Sequence, residues 1–184
     1  KPLNQNEEQI QPATSIDDEQ NISEVIVKTK DEIITQSKRV LINTPSLSGS
    51  INLKGAILDD LTLLKYNVSL NDDSKKITLF APDGTSNPYY FELGWKKLSN
   101  NSREIDLPNL ETNWEATNYE LTPNNSVTLF WKNNQNINFK IEFSIDENYL
   151  FDIKQSIEND SESLIEVFPY RLIKRINLPD TINF

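Results

Sequence analysis

The chain has no cysteine, no histidine and no methionine among its 184 residues, and only four glycines. Without cysteine there is no disulfide, no thiol nucleophile and no thiolate metal site. Without histidine the commonest general base and a leading metal ligand are both missing. The glycines stand far apart, at 49, 55, 84 and 94, so no glycine-rich phosphate cradle can form. No apolar run approaches the roughly 18 residues that a membrane-spanning helix needs. The chain opens on Lys1 and reads as a processed or excised piece, with any signal peptide or anchor lying outside it.

What is present suits one solvated domain. Domains commonly run to roughly 100–200 residues, and one near 150 residues hides about two-thirds of its unfolded surface. Hydrophobic residues make up 36% of the chain, and the mean hydropathy is −0.56. Nine prolines and 23 asparagines favour turns, because Asn tolerates positive φ and hydrogen-bonds its own backbone. The net charge of −10 repels phosphate backbones, which argues against nucleic acid as a partner.

Residues 1 to about 22 are acidic, polar and aperiodic, as in a flexible linker. From Ser23 to Ser37 the pattern fits either a short helix or a loose strand. Period-two patterning then takes over. Val40 and Ile42 form a short stretch ended by Thr44-Pro45. Leu47, Gly49, Ile51 and Leu53 alternate with Ser48, Ser50, Asn52 and Lys54, and Gly55 offers a bulge or turn before Leu61 and Leu63. Tyr89, Phe91, Leu93 and Trp95 share one face, opposite Tyr90, Glu92 and Gly94.

The strongest pattern begins at Val127. Val127, Leu129 and Trp131 share a face; after the loop 132–136, Ile137, Phe139, Ile141, Phe143 and Ile145 share another. Asp146-Glu147-Asn148 reads as a three-residue hairpin turn, and Tyr149, Phe151, Ile153 and Ile157 continue the apolar face, with Gln155 as its polar intruder. Pairing Ile145 with Tyr149 brings Phe143 to Phe151 and Ile141 to Ile153. Pairing Trp131 with Ile137 brings Leu129 to Phe139 and Val127 to Ile141. One register choice buries every large apolar residue of this β-meander. Short strands with turns every 8–12 residues predict an all-β, mainly antiparallel sandwich or barrel.

No catalytic constellation assembles from these residues. The adjacent acids Glu7-Glu8, Asp17-Asp18-Glu19, Asp59-Asp60 and Asp72-Asp73 read as solvated turn acids. Neighbours on a strand point to opposite faces, so Asp59 and Asp60 do not form a local carboxylate pair of the glycosidase kind. Asp72-Asp73 with Asn67 and Asn71 lacks the spaced oxygen ligands and closing Glu of a calcium loop. Ser74-Lys75 reads as a polar loop. The expectation is therefore no enzyme, no metal and no cofactor. Candidate partner-binding residues are few. Trp114, among polar neighbours, is the one tryptophan placed for exposure and for stacking on a sugar. Arg171, Lys174 and Arg175 form a basic cluster suited to an acidic partner or lipid headgroups, set among Leu172, Ile173 and Ile176 as in a half-exposed strand.

The ordered motifs resemble a known family. Arg39-Val40-Leu41-Ile42-Asn43-Thr44-Pro45, the run Gly49 to Leu61, and Tyr66 come first. Leu79 through Pro82, Tyr89-Tyr90-Phe91-Glu92-Leu93-Gly94-Trp95, and Trp114 follow. Leu121-Thr122-Pro123, Val127-Thr128-Leu129, Phe139, Asp146 with Tyr149-Leu150-Phe151, Asn159, and Pro169-Tyr170 with Arg175 complete the series. The series, over roughly Arg39 to Pro179, resembles the periplasmic domain of YidC-type membrane protein insertases, the alphaproteobacterial branch in particular. The resemblance implies a β-supersandwich similar to galactose mutarotases, with this chain holding its N-terminal part at residues 38–184. It implies a linker over residues 1–37 after a membrane helix, and a place on the periplasmic side of the bacterial inner membrane. It also implies a non-catalytic role assisting insertion and folding of inner-membrane proteins, docking the translocon components SecD and SecF and meeting nascent membrane proteins. The alternative from a different class is a carbohydrate-binding β-sandwich resting on Trp114. Mutarotases work with a His acid beside a Glu base, and this chain has no His.

Overall fold

The structure, a computed structural model, describes residues 27–71, 73–98 and 104–177. The readings made on residues 1–26, on Asp72 and on residues 178–184 lie outside the described residues. Among the described residues a short helix comes first, α1 (Lys30–Ile34), followed by eleven strands: β1 (Arg39–Asn43), β2 (Leu47–Asn52), β3 (Ile57–Asn67), β4 (Lys76–Phe80), β5 (Tyr89–Lys97), β6 (Glu115–Ala116), β7 (Glu120–Leu121), β8 (Val127–Lys132), β9 (Ile137–Ile145), β10 (Phe151–Asn159) and β11 (Val167–Arg175).

Two sheets result. The larger runs β11-β5-β3-β2-β1-β7, with β4 also on β3; the smaller runs β10-β9-β8-β6. Every pairing is antiparallel except β1 with β7, which is parallel. This is an all-β, mainly antiparallel two-sheet sandwich, where the alternation alone left sandwich and barrel open. Alternate residues of each sheet meet in a shared core that includes Val40, Ile51, Leu93, Trp95, Leu129, Phe139 and Phe143, all buried. Trp95 of β5 meets Phe139 of β9 edge to face, ring centres 5.2 Å apart, which ties one sheet to the other.

The β8–β9–β10 meander forms with the expected faces along its strands, but Tyr149, expected on the buried face, lies in the turn and is exposed, and the register differs from the expected one. Phe151 pairs with Ile145, Ile153 with Phe143 and Gln155 with Ile141; Trp131 pairs with Phe139, Leu129 with Ile141 and Val127 with Phe143. Both registers slide by two residues. At the β9–β10 turn the cause is Asp146, whose carboxylate accepts hydrogen bonds from the amides of Asn148 and Leu150, at 2.8 and 3.0 Å. Its own amide donates to the Leu150 carbonyl at 3.1 Å. The turn is five residues long, not three, and these bonds hold the Asp146 carboxyl below its ordinary value. Because the slip is even, each side chain within the strands keeps its face.

The ambiguous stretch before Arg39 resolves as α1. Thr29 caps it in a capping box: its side chain accepts from the Glu32 amide while the Glu32 carboxylate accepts from the Thr29 amide. Five residues bury too little to hold a helix alone, so its place on the sheet depends on a few tertiary contacts.

Candidate functional site

One side of β3 carries a buried polar network of two acids, a serine and two cations. In the β2–β3 ladder Ser50 pairs with Asp60 but Ile51 pairs with Leu58, so Asp59 is the extra residue of a β-bulge. A bulge re-aims side chains that strict alternation would separate. Asp59 and Asp60 therefore serve one network. The Arg39 guanidinium donates to Asp59 Oδ1 and, through Nε, to Ser50 Oγ at 2.7 Å. Ser50 Oγ donates to Asp60 Oδ2 at 2.7 Å, and Lys30 Nζ from α1 donates to Asp60 Oδ1 at 2.8 Å. Gly49 sits across from this kink, where a Cβ would lie 2.1 Å from the Asp60 carbonyl oxygen.

This overturns the reading of Asp59-Asp60 as solvated turn acids. Both lie inside a strand, 4% and 6% exposed. The signal was in the sequence: the pair stands in the apolar run Ile57-Leu58-Asp59-Asp60-Leu61, which is strand composition rather than turn composition. Burial pushes the Asp59 carboxyl above its ordinary value of 3.8, and the neighbouring Arg39 charge opposes the shift without cancelling it.

A pH prediction follows from the direction of that shift. A carboxyl raised in the folded state contributes stability that is complete below its ordinary value and lost as pH rises through the raised one. The unfolding free energy of the wild type minus that of Asp59→Asn should therefore fall as pH rises above 3.8. Urea unfolding of both proteins along a pH series measures it. A difference that rises with pH would show that the Arg39 attraction outweighs desolvation.

The expectation that Trp114 is exposed is also overturned. Trp114 is 5% exposed and stacks on Trp95, ring centres 6.2 Å apart and planes tilted by 23°. Its amide donates to the Leu53 carbonyl at 2.8 Å, which draws the segment under the β2–β3 turn. Polar neighbours in sequence hid this, because the segment is pinned by tertiary bridges and not by a long strand. A sugar cannot stack on a ring already covered, so the residue that motivated the carbohydrate reading is taken up by the core. Trp131 is half-buried and packs on Phe139 at 5.7 Å.

Arg171, Lys174 and Arg175 come together on β11, the edge strand of the larger sheet. The Leu98 amide donates to the Glu166 carbonyl and the Ile176 amide to the Pro88 carbonyl, which makes the even-numbered residues of β11 the hydrogen-bonded partners of β5. Among the described residues, the backbone groups of Val167, Pro169, Arg171, Ile173 and Arg175 point away from β5, along the outer edge of the sheet. Pro169 has no N–H there, and the cations flank the rest, two devices that blunt an edge against unselective pairing. Phe168, Leu172 and Ile173 are exposed along it.

The three cations do not act alike. Arg171 reaches across to the smaller sheet, donating to the Ile153 carbonyl at 2.8 Å and to Gln155 Oε1 at 3.3 Å. Gln155, the polar intruder of the meander, donates in turn to the Gly94 carbonyl at 3.0 Å, bridging the two sheets. Lys174 lies over the Tyr90 ring and Arg175 over the Tyr89 ring, at 5.7 and 4.8 Å. The contact with Tyr90 holds the Lys174 ammonium above its ordinary value. The tandem tyrosines opposite tandem cations are a cross-strand signal that only the β5–β11 register reveals. Tyr170 lies across Gly94, where a Cβ would sit 2.6 Å from its ring, and donates to Glu92 at 3.1 Å.

Ser74, of the Ser74-Lys75 reading, accepts from the Ser69 amide at 3.2 Å and donates back to the Ser69 carbonyl, as a turn residue does. Among the described residues no group of three or more acids could hold a metal ion, and no helix is long and apolar enough to cross a membrane.

The fold is thus a two-sheet, mainly antiparallel sandwich whose buried Asp59 and Asp60 are paired with Arg39 and Lys30. The sequence profile of the YidC periplasmic domain matches residues 39–183, and the chain belongs to that family. Its relatives include the membrane protein insertase YidC of Rickettsia bellii, 43% identical over 141 residues, covering 77% of this chain and 25% of the relative. The membrane protein insertase YidC of Methylorubrum extorquens is 38% identical over 153 residues, covering 83% and 24%. That of Rickettsia felis is 38% identical over 154 residues, covering 82% and 27%. The chain thus spans about a quarter of the length of the curated relatives it matches.

Proposed function

We propose that the chain is a non-catalytic module of a membrane protein insertase, lying on the periplasmic side of the bacterial inner membrane. In this reading residues 38–184 belong to the periplasmic domain, and residues 1–37 link it to a membrane helix. The observation that carries the proposal is the family match across residues 39–183, together with relatives that bear the insertase name. The role is to assist insertion and folding of inner-membrane proteins by docking partners, SecD and SecF among them, and nascent membrane proteins.

The β11 edge is the docking face in this proposal. The exposed Phe168, Leu172 and Ile173 and the cations Arg171, Lys174 and Arg175 along it suit a partner segment carrying acids, because complementary charge steers and selects a partner. A photo-crosslinker at Leu172, in the insertase within intact cell envelopes, should trap SecD, SecF or a translocating membrane protein. The same group at exposed Leu110, outside β11, should trap far less. Recovery of cytosolic proteins alone would sink the proposal.

The absence of catalysis has its own physical support. Acid–base work near neutrality without His needs a carboxyl or lysine strongly shifted and open to substrate. The shifted buried acid here, Asp59, is closed off by Arg39.

A further inference from the structure

The segment 27–37 touches the sandwich through very few contacts. None of the five α1 residues is fully buried. The Lys28 amide donates to the Gly84 carbonyl at 3.0 Å, and the Ile33 side chain rests against Gly84, 3.4 Å from where a Cβ would stand. The principal polar tie is Lys30, whose Nζ reaches Asp60 Oδ1 at 2.8 Å and Thr62 Oγ1 at 3.4 Å on β3. The first sheet tie beyond it is the Lys38 carbonyl, which accepts from the Leu53 amide at 3.0 Å. The segment is thus a strap fastened at 28, 30 and 33 and hinged at 38.

The fastening is unequal on its two sides. The Asp60 side chain is 8% exposed and locked by Ser50, whereas the Lys30 side chain is 26% exposed. The acid is fixed in the sheet; the lysine is the part that can leave. Elements with little buried apolar surface open locally at low free energy, without unfolding what they lie on.

We infer that residues 27–37 are a releasable strap, latched to the outer side of β3 by Lys30 on Asp60, that sets how far the sandwich stands from whatever precedes it. Released and fully extended, the eleven residues span about 36–40 Å. Latched, they are drawn back along the sheet. The part of this inference that concerns distance from the membrane rests on the reading of residues 1–37 as the link to a membrane helix. The latch itself does not. An acidic group that competes for Lys30, or high salt, would favour the open form, since ions screen a partly exposed pair more than a fully buried one.

Hydrogen exchange on the chain as it stands tests the latch. Wild type, Lys30→Met and the double variant Lys30→Met/Asp60→Asn are compared; the double variant avoids leaving the buried Asp60 charge without a partner. The expected result is that the Lys28 amide and the rest of 27–37 exchange at least about tenfold faster in both variants, the size of change that roughly 1.4 kcal/mol of lost latching produces. Amides of β2 and β3 keep their protection. Three results would overturn the inference: wild-type exchange over 27–37 equal to that of the free peptide, unchanged exchange in the variants, or equal acceleration of 27–37 and β3. A latch that behaves as expected while envelope cross-linking finds no insertase partner would refute the proposed function and leave the strap standing.

Discussion

Phe143→Ala is expected to destabilise the sandwich by about 3–5 kcal/mol, the usual range for truncating a buried phenylalanine. Phe143 is completely buried in β9, paired with Val127 on one side and Ile153 on the other. The ring stands on the face turned to the larger sheet, so its loss leaves a cavity between two layers that cannot both collapse inward. The control is its neighbour. Glu142 is exposed on the opposite face, paired with Thr128 and Lys154, and Glu142→Ala should change stability by no more than about 0.5 kcal/mol. Urea unfolding measures both. Similar losses from the two variants would mean that the inward and outward faces of β9 are misassigned.

That prediction survives a register error, and the reason shows what was legible in the sequence. The period-two pattern of Ile137, Phe139, Ile141, Phe143 and Ile145 settles which face is inside, because alternation is a property of the strand alone. Register depends on the turn, and here one side chain, Asp146, lengthens it by capping the amides of Asn148 and Leu150. The same division explains the other outcomes. Leu47 to Leu53 and Tyr89 to Trp95 were readable as strands because their alternation is local. The helix at Lys30 was not readable from periodicity, since five residues make little more than one turn; Thr29 and Glu32 were the available signal.

The candidate surfaces were legible in part for the same reason. The basic, half-exposed character of Arg171, Lys174 and Arg175 is local and was visible. That Arg171 spans to Ile153, and that Tyr89 and Tyr90 lie under the other two cations, depends on which strands neighbour one another. The burial of Trp114 is not legible locally, because its environment comes from Trp95 and from the Leu53 carbonyl, both distant in sequence. The shared network of Asp59 and Asp60 is not legible from alternation, because alternation fails at a bulge.

Arg39→Met is expected to cost about 3–5 kcal/mol, as when one member of a buried ion pair is removed. The Arg39 and Asp59 side chains are 7% and 6% exposed, so little solvent screening reduces the interaction. The variant strands Asp59 with its charge and no cation, beside Asp60, whose own charge adds to the repulsion. It also removes the Nε donor from Ser50 Oγ, loosening the link to Asp60. The contrast is Lys54 with Glu111, 2.6 Å apart but 46% and 79% exposed, where Lys54→Met should cost no more than about 1 kcal/mol. Distance is not what separates the two pairs; the water around them is. The double variant Arg39→Met/Asp59→Asn tests that cause. If the loss comes from an orphaned buried charge, neutralising Asp59 should restore most of it, because a buried pair replaced by neutral groups is often close to neutral in stability. Urea unfolding of the two single variants and the double variant closes the cycle. A double variant as unstable as the sum of the singles would show that Arg39 acts through packing of its stem over the β2–β3 bulge, and not through its charge.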